Sequence, residues 1–141
     1  MPMDFVSQNI LLISIVVISA AGLVWPAFVR RAGNPVNPAG ATLLINRENA
    51  LVLDVREPDE FAQGHLPDAI NLPAGKLAER VGEIEKYKER PLIVCCAAGM
   101  RSGRACRDLG KQGFGKLYNL DGGVDAWVAA GYPIKKGLRS K

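Results

Sequence analysis

Histidine is nearly absent from this 141-residue chain, which holds only His65, and cysteine is scarce, at three. One histidine excludes a histidine-cluster metal site. Cys95, Cys96 and Cys106 leave no Cys-x-x-Cys pair on which a zinc site is built. Neither a metal nor an organic cofactor is expected. Aromatic residues make up 6% of the chain, with no dense basic tract and no aromatic-basic interleaving, which excludes nucleic acid as a partner. Of 18 basic and 14 acidic side chains, Arg30, Arg31 and Asp4 precede residue 32, so the rest holds 16 against 13, a mild bias towards anions. No internal repeat occurs.

Charge is missing altogether from residues 5–29. The run from Ile10 to Val29 is dominated by Ile, Leu and Val, interrupted by Ser14, Ser19 and Gly22, and about 20 such residues cross a bilayer core as a helix. A cleavable signal peptide is the competing reading, with Ser19-Ala20-Ala21 as the small-residue site. Asp4 and the lack of an N-terminal Lys or Arg side chain argue against it. Residues 1–31 are therefore expected to be one transmembrane anchor with a basic flank, with Trp25 at the interface and Pro26 at an exit or kink. Arg30 and Arg31 follow the span, so the positive-inside rule makes the chain single-pass in the inner cell membrane, with its C-terminal domain cytoplasmic. Residues 32–40, rich in Gly, Pro and Asn, read as a linker, 41–137 as one domain and 138–141 as a flexible tail.

Within the domain, apolar runs at Leu51–Val55, around Ala69–Asn71, Leu92–Cys95 and Leu117–Leu120 read as strands. Helical patterns intervene at Pro58–Gln63, Leu77–Tyr87, Ser102–Gln112 and Val124–Ala129, and Pro38, capped by Asn37, opens a helix to about Asn46. Such alternation predicts an α/β fold, a mostly parallel sheet flanked by helices. Its chemistry belongs at the carboxyl ends of the strands.

Leu92-Ile93-Val94-Cys95-Cys96-Ala97-Ala98-Gly99-Met100-Arg101-Ser102 is the most informative stretch, because a buried strand runs into a cysteine, a small-residue loop and a helix start. Such a loop turns N–H groups inward, and the helix dipole favours negative charge at its centre. A cysteine there ionises easily, and the thiolate is the nucleophile. A strand-end cysteine is otherwise often a small core residue, and strand alternation assigns that role to Cys95. Cys96 is the candidate nucleophile.

These residues carry a family resemblance. Cys96-Ala97-Ala98-Gly99-Met100-Arg101-Ser102 resembles the Cys-x-x-Gly-x-Arg-Ser active loop of single-domain rhodaneses. Asp54-Val55-Arg56 with Glu60-Phe61, then Gly64-His65-Leu66-Pro67, and Gly122-Gly123 with Trp127 are similar to the other landmarks of that family, in order, over about residues 38–137. The resemblance is to a membrane-anchored, bacterial type. It implies a sulfurtransferase: Cys96 takes sulfur as a persulfide from a donor such as thiosulfate and passes it to a thiol, cyanide or a protein acceptor. Backbone N–H groups from Ala97 through Arg101 would hold the outer sulfur. Asp54, Arg56 and Ser102 are expected to support the pocket, Asp54 by accepting backbone N–H bonds and Arg56 by pairing with Glu60. His65 and Trp127 are expected to be structural.

Three points stay open at this level. Ala97 stands where the family often has a basic or polar residue, which leaves thiosulfate one partner short. Arg101, Arg104 and Arg107 cluster on the following helix, although Arg104 and Arg107 also fit a solvated face. The alternative function is a membrane-tethered interaction or redox-sensing module of the same fold, facing a membrane-protein partner. A phosphatase or arsenate reductase in the Cys95 register, Cys-x5-Arg, is disfavoured because its glycine falls one place late.

Overall fold

The computed structural model describes residues 2–30 and 33–138, with side chains described for 3–25 and 33–138. The chain forms two compact units, Met1–Arg30 and Arg31–Lys141.

The first unit is helical, with α1 over Pro2–Gln8 and α2 over Ile10–Arg30. Ser14 Oγ donates to the Ile10 carbonyl of its own helix at 2.7 Å, and Asn9, between the two helices, donates through Nδ2 to the Phe5 carbonyl at 2.9 Å. The large apolar side chains of α2 from Ile10 to Trp25 are mostly exposed. Among the described residues no helix is long and apolar enough to cross a membrane, and the side chains of residues 26–30 lie outside that description. Arg31, expected in the basic flank, and residues 139–141, expected in the tail, also lie outside the described residues.

In the second unit, five parallel strands lie in the order β1-β5-β4-β2-β3: β1 Asn34–Val36, β2 Leu51–Asp54, β3 Ile70–Asn71, β4 Leu92–Cys95 and β5 Leu117–Leu120. Around them run α3 Pro38–Glu48, α4 Pro58–Gln63, α5 Leu77–Arg80, α6 Met100–Lys111 and α7 Gly123–Ala129. Period-two alternation splits the core into two layers. Leu51, Leu53, Leu92, Val94 and Cys96 pack with α5 and α6 through Leu77, Ala105 and Leu109. Val52, Ile93 and Cys95 face the other way, onto Ala41 of α3, Phe61 of α4, and Val124 and Trp127 of α7.

Two elements differ from the sequence reading. Residues 34–36, assigned to a linker, form β1 and pair in register with Tyr118, Asn119 and Leu120 of β5. Pro35 is compatible with this place because an edge strand has one side on which no N–H is needed. The helix expected over Leu77–Tyr87 stops at Arg80 and continues as a 3₁₀ turn over Val81–Tyr87, which still buries Ile84. By contrast α3 starts at Pro38, where the Asn37 side chain accepts the Gly40 N–H at 2.7 Å.

Candidate active site

Cys96 follows the last residue of β4 at the carboxyl end of a central strand, and α6 begins four residues later. Gly99 caps that helix with φ +108°, a left-handed conformation that a side chain would strain. The turn brings the Gly99 N–H to 3.0 Å from Cys96 Sγ, and Ser102 Oγ lies 3.4 Å from the same sulfur. Ser102 is fully buried, and its single hydroxyl proton has three acceptors in reach: Asn119 Oδ1 at 2.6 Å, the Gly99 carbonyl at 3.1 Å and Cys96 Sγ. A protonated thiol can donate to Ser102 Oγ, whereas a thiolate draws the hydroxyl proton to itself.

Burial pushes the Cys96 thiol up, and hydrogen bonds from the Ser102 hydroxyl and from the Ser102, Gly99 and Ala98 amides outweigh it, so its pKa lies below the usual thiol value of 9.0. Among the described residues Cys95 and Cys106 have no such donors. Burial, reinforced by Asp54, raises Cys95 well above the ordinary range, and burial pushes Cys106 up to about 12. Cys95 is fully enclosed on the opposite core layer, which removes the Cys-x5-Arg register as a source of the nucleophile.

The loop is held from behind by α7. Val124 N–H donates to the Cys96 carbonyl at 2.8 Å and Asp125 N–H to that of Ala97 at 3.1 Å. Turning these carbonyls away leaves the loop's N–H groups free to face the sulfur. Such closeness requires Gly123: a Cβ there would sit 2.3 Å from the Cys96 carbonyl oxygen and 2.5 Å from that of Ala97. Gly123 entered the motif reading only as a landmark with no role assigned, and Asn119, which accepts the Ser102 hydroxyl, was passed over. Asn119 left one signal, as a polar residue in a strand that lies inside the parallel sheet, between β1 and β4.

Of the predicted supporting residues, Asp54 and Arg56 are both buried and chelate each other. Arg56 Nη2 donates to Asp54 Oδ2 at 2.7 Å, and Arg56 Nε and backbone N–H each reach Oδ1 at 3.0 Å. Arg56 Nη2 also donates to the Gly64 carbonyl at 2.7 Å, tying the end of β2 to the turn after α4. The expected Arg56–Glu60 pair does not form. Glu60 instead receives both terminal nitrogens of Arg101, at 2.8 and 3.0 Å. Its Oε1 also accepts the Glu57 N–H at 3.1 Å, which pins the carboxylate at the start of α4 on the side of the loop. The Arg101 hydrogen bonds hold the Glu60 carboxyl down at about 2.

The remaining loop residues lie at the surface: Ala97, Ala98 and Gly99 are partly or fully exposed, and Met100 projects into solvent. His65 lies outside this group. It is fully buried, stacked on Phe61 at 3.7 Å, with Nδ1 bonded to the Phe61 carbonyl at 2.8 Å. Trp127 packs in the α7 layer, its Nε1–H donating to the Pro133 carbonyl at 2.8 Å. Among the described residues no cluster of His, Cys, Asp and Glu is placed to hold a metal ion.

A thiol made acidic by amides at a strand–loop–helix junction of a parallel sheet defines a cysteine-based group-transfer site. The comparisons with known proteins narrow the class. The chain belongs to the family of the rhodanese-like domain, whose model matches residues 38–130. It is similar to a sulfurtransferase of Allochromatium vinosum, with 43% identity over 91 residues, 64% of this chain and 83% of the relative. It also resembles a thiosulfate sulfurtransferase of Pseudoalteromonas translucida, 36% identical over 87 residues, 62% of this chain and 81% of the relative. A crystal structure of a rhodanese-related protein from Thermoplasma volcanium superposes with a TM-score of 0.64 at 33% identity, covering 72% of this chain and 97% of that one.

Proposed function

We propose that this protein is a sulfurtransferase that carries sulfane sulfur as a persulfide on Cys96. The observation that carries the reading is the seat of Cys96 Sγ, 3.0 Å from the Gly99 nitrogen and 3.4 Å from Ser102 Oγ, in a loop of small side chains. Relatives named as sulfurtransferases support it.

In the first half-reaction the Cys96 thiolate attacks the outer sulfur of a donor such as thiosulfate. A sulfur–sulfur bond forms on Cys96, the donor's own sulfur–sulfur bond breaks, and sulfite leaves with that electron pair. The negative charge now sits on the outer sulfur of the persulfide, where the loop amides stabilise it. In the second half-reaction a thiolate or cyanide attacks that outer sulfur. The Cys96 bond breaks, the thiolate is restored, and the acceptor departs as a persulfide or as thiocyanate. No oxidant, reductant or metal enters the balance.

The test is the intact mass of the full-length protein in detergent after incubation with thiosulfate or a low-molecular-weight persulfide, compared with Cys96→Ser and Cys95→Ser. A gain of about 32 Da, removed by cyanide and absent only in Cys96→Ser, is the result expected of a covalent nucleophile. No gain with either donor would overturn the catalytic reading in favour of the interaction module.

The same proposal places the domain at the inner membrane on its cytoplasmic side, held by residues 10–29 as a single pass. Support comes from the charge-free sequence through Val29 and from the exposed Leu11, Ile18, Leu23 and Trp25 side chains on α2. Recovery in the membrane fraction after alkaline carbonate washing, with the C-terminus protected from external protease, is expected. Release by the wash would refute the anchor.

A further inference from the structure

Arg101, Arg104 and Arg107 stand three residues apart on the exposed side of α6, and with Ala74 and Met100 they line a hollow of about 350 Å³ beside the sulfur loop. The three arginines are not equivalent. Arg101 is committed to Glu60, whereas Arg104 and Arg107 have no acidic partner among the described residues. Asp108, next to Arg107 in the chain, lines a different hollow with Lys111 and forms no ion pair with either arginine among the described residues. Met100, at the rim, is 87% exposed, an apolar side chain set between the sulfur loop and two unpaired guanidinium groups.

Thiosulfate has no use for this surface. With about 1.5 Å of rise per residue, Arg107 lies about 10 Å along the helix from Met100. A donor seated over Cys96 cannot touch it. Cys96 itself is 1% exposed, and the outer sulfur of a persulfide extends only about 2 Å further, so an acceptor has to come in over the exposed loop residues, Ala98 and Met100 among them. An exposed methionine flanked by arginines is the residue mix of protein–protein contacts. The hollow carries no aromatic side chain on which a nucleotide base would stack. The unpaired positive charges call for carboxylates.

We infer that the face formed by Met100, Arg104 and Arg107 docks an acidic segment of a partner protein whose cysteine accepts the sulfur held on Cys96. The sulfur step depends on the sulfurtransferase reading, and the docking step does not. Glutamates flanking the acceptor cysteine pair with Arg104 and Arg107, Met100 packs on the partner's backbone, and the acceptor thiolate is led to the loop mouth.

The test is fluorescence anisotropy on the full-length protein in detergent. The probe is a short labelled peptide with a central serine in place of the acceptor cysteine, flanked by glutamates, against its glutamine counterpart. Two exposed charge pairs predict about 5- to 10-fold tighter binding of the acidic peptide at low salt, fading as the Debye length shortens. The difference should vanish in Arg104→Ala/Arg107→Ala, and Arg104→Glu/Arg107→Glu should prefer a lysine-flanked peptide while melting like the wild type. Equal binding of the acidic and glutamine peptides, or a preference that survives the alanine pair, would overturn the inference. Should Cys96 gain no sulfur while the arginine-dependent preference holds, the catalytic reading fails and the docking face stands.

Discussion

Replacing Gly123 by alanine tests the claim that α7 sets the reactivity of Cys96 through its backbone hydrogen bonds to the loop. The added Cβ starts 2.3 Å from the Cys96 carbonyl oxygen, so the loop must retreat by about 0.7 Å to reach even 3.0 Å, a separation that real contacts scarcely show. Gly123 also has φ +61°, which costs a non-glycine residue about 1–2 kcal/mol. Retreat stretches the 2.8 and 3.1 Å hydrogen bonds from Val124 and Asp125, each worth about 1 kcal/mol. Together these predict a loss of about 3 kcal/mol and, for a domain of this size, a fall in Tm of at least about 10 °C. Displacing the loop also moves the Gly99 amide off the sulfur, so the Cys96 pKa should climb towards 9.0, with about tenfold less thiolate per unit below it. The assay is the rate of Cys96 alkylation against pH, read beside thermal melting. Gly131→Ala is the control, because Gly131 has φ +81° with nothing within 4 Å of the added carbon: it should lose only the conformational term and keep the Cys96 pKa. If Gly123→Ala alkylates and melts like Gly131→Ala, the reasoning is wrong.

Ser102→Ala removes the hydroxyl 3.4 Å from Cys96 Sγ and should raise the Cys96 pKa, slowing alkylation at neutral pH and restoring it at alkaline pH; an unchanged pH profile would exclude the hydroxyl as a thiolate donor. Asp54→Ala strands the buried Arg56 guanidinium and should cost about 3–5 kcal/mol in urea unfolding, far more than Arg101→Ala, which breaks a pair whose side chains are 42% and 35% exposed and should cost under about 1 kcal/mol. Cys106, pushed up to about 12 in the fold against the usual thiol value of 9.0, holds its proton longer in the native state. Its share of stability is therefore complete below about pH 9 and lost as pH rises towards 12. Chemical denaturation at a series of alkaline pH values should show a shallower decline in Cys106→Ala, and an identical slope would refute the assignment.

The two core layers were legible because alternation in Leu51–Val55 and Leu92–Cys96 assigns successive side chains to opposite faces, and this also separates Cys96 from Cys95. β1 was not legible, since Asn-Pro-Val has the composition of a connection and becomes a strand only by pairing with β5, a partner more than 80 residues away. Tertiary placement likewise decides the charges. Spacing alone put Arg56 beside Glu60 across one helical start. In the fold, Asp54 and Arg56 leave the end of β2 on the same side and saturate each other out of water, where an unpaired charge is costly. Glu60, tied to the Glu57 amide, is left facing the loop, and Arg101 arrives there from a segment 41 residues later. Sequence patterns identify which residues carry charge near a site; which charge meets which depends on the order in which the strands lie side by side. Here the order β4-β2 brings the carboxyl ends of both strands together, which sets Glu60 within reach of Arg101 and leaves Arg104 and Arg107 facing solvent.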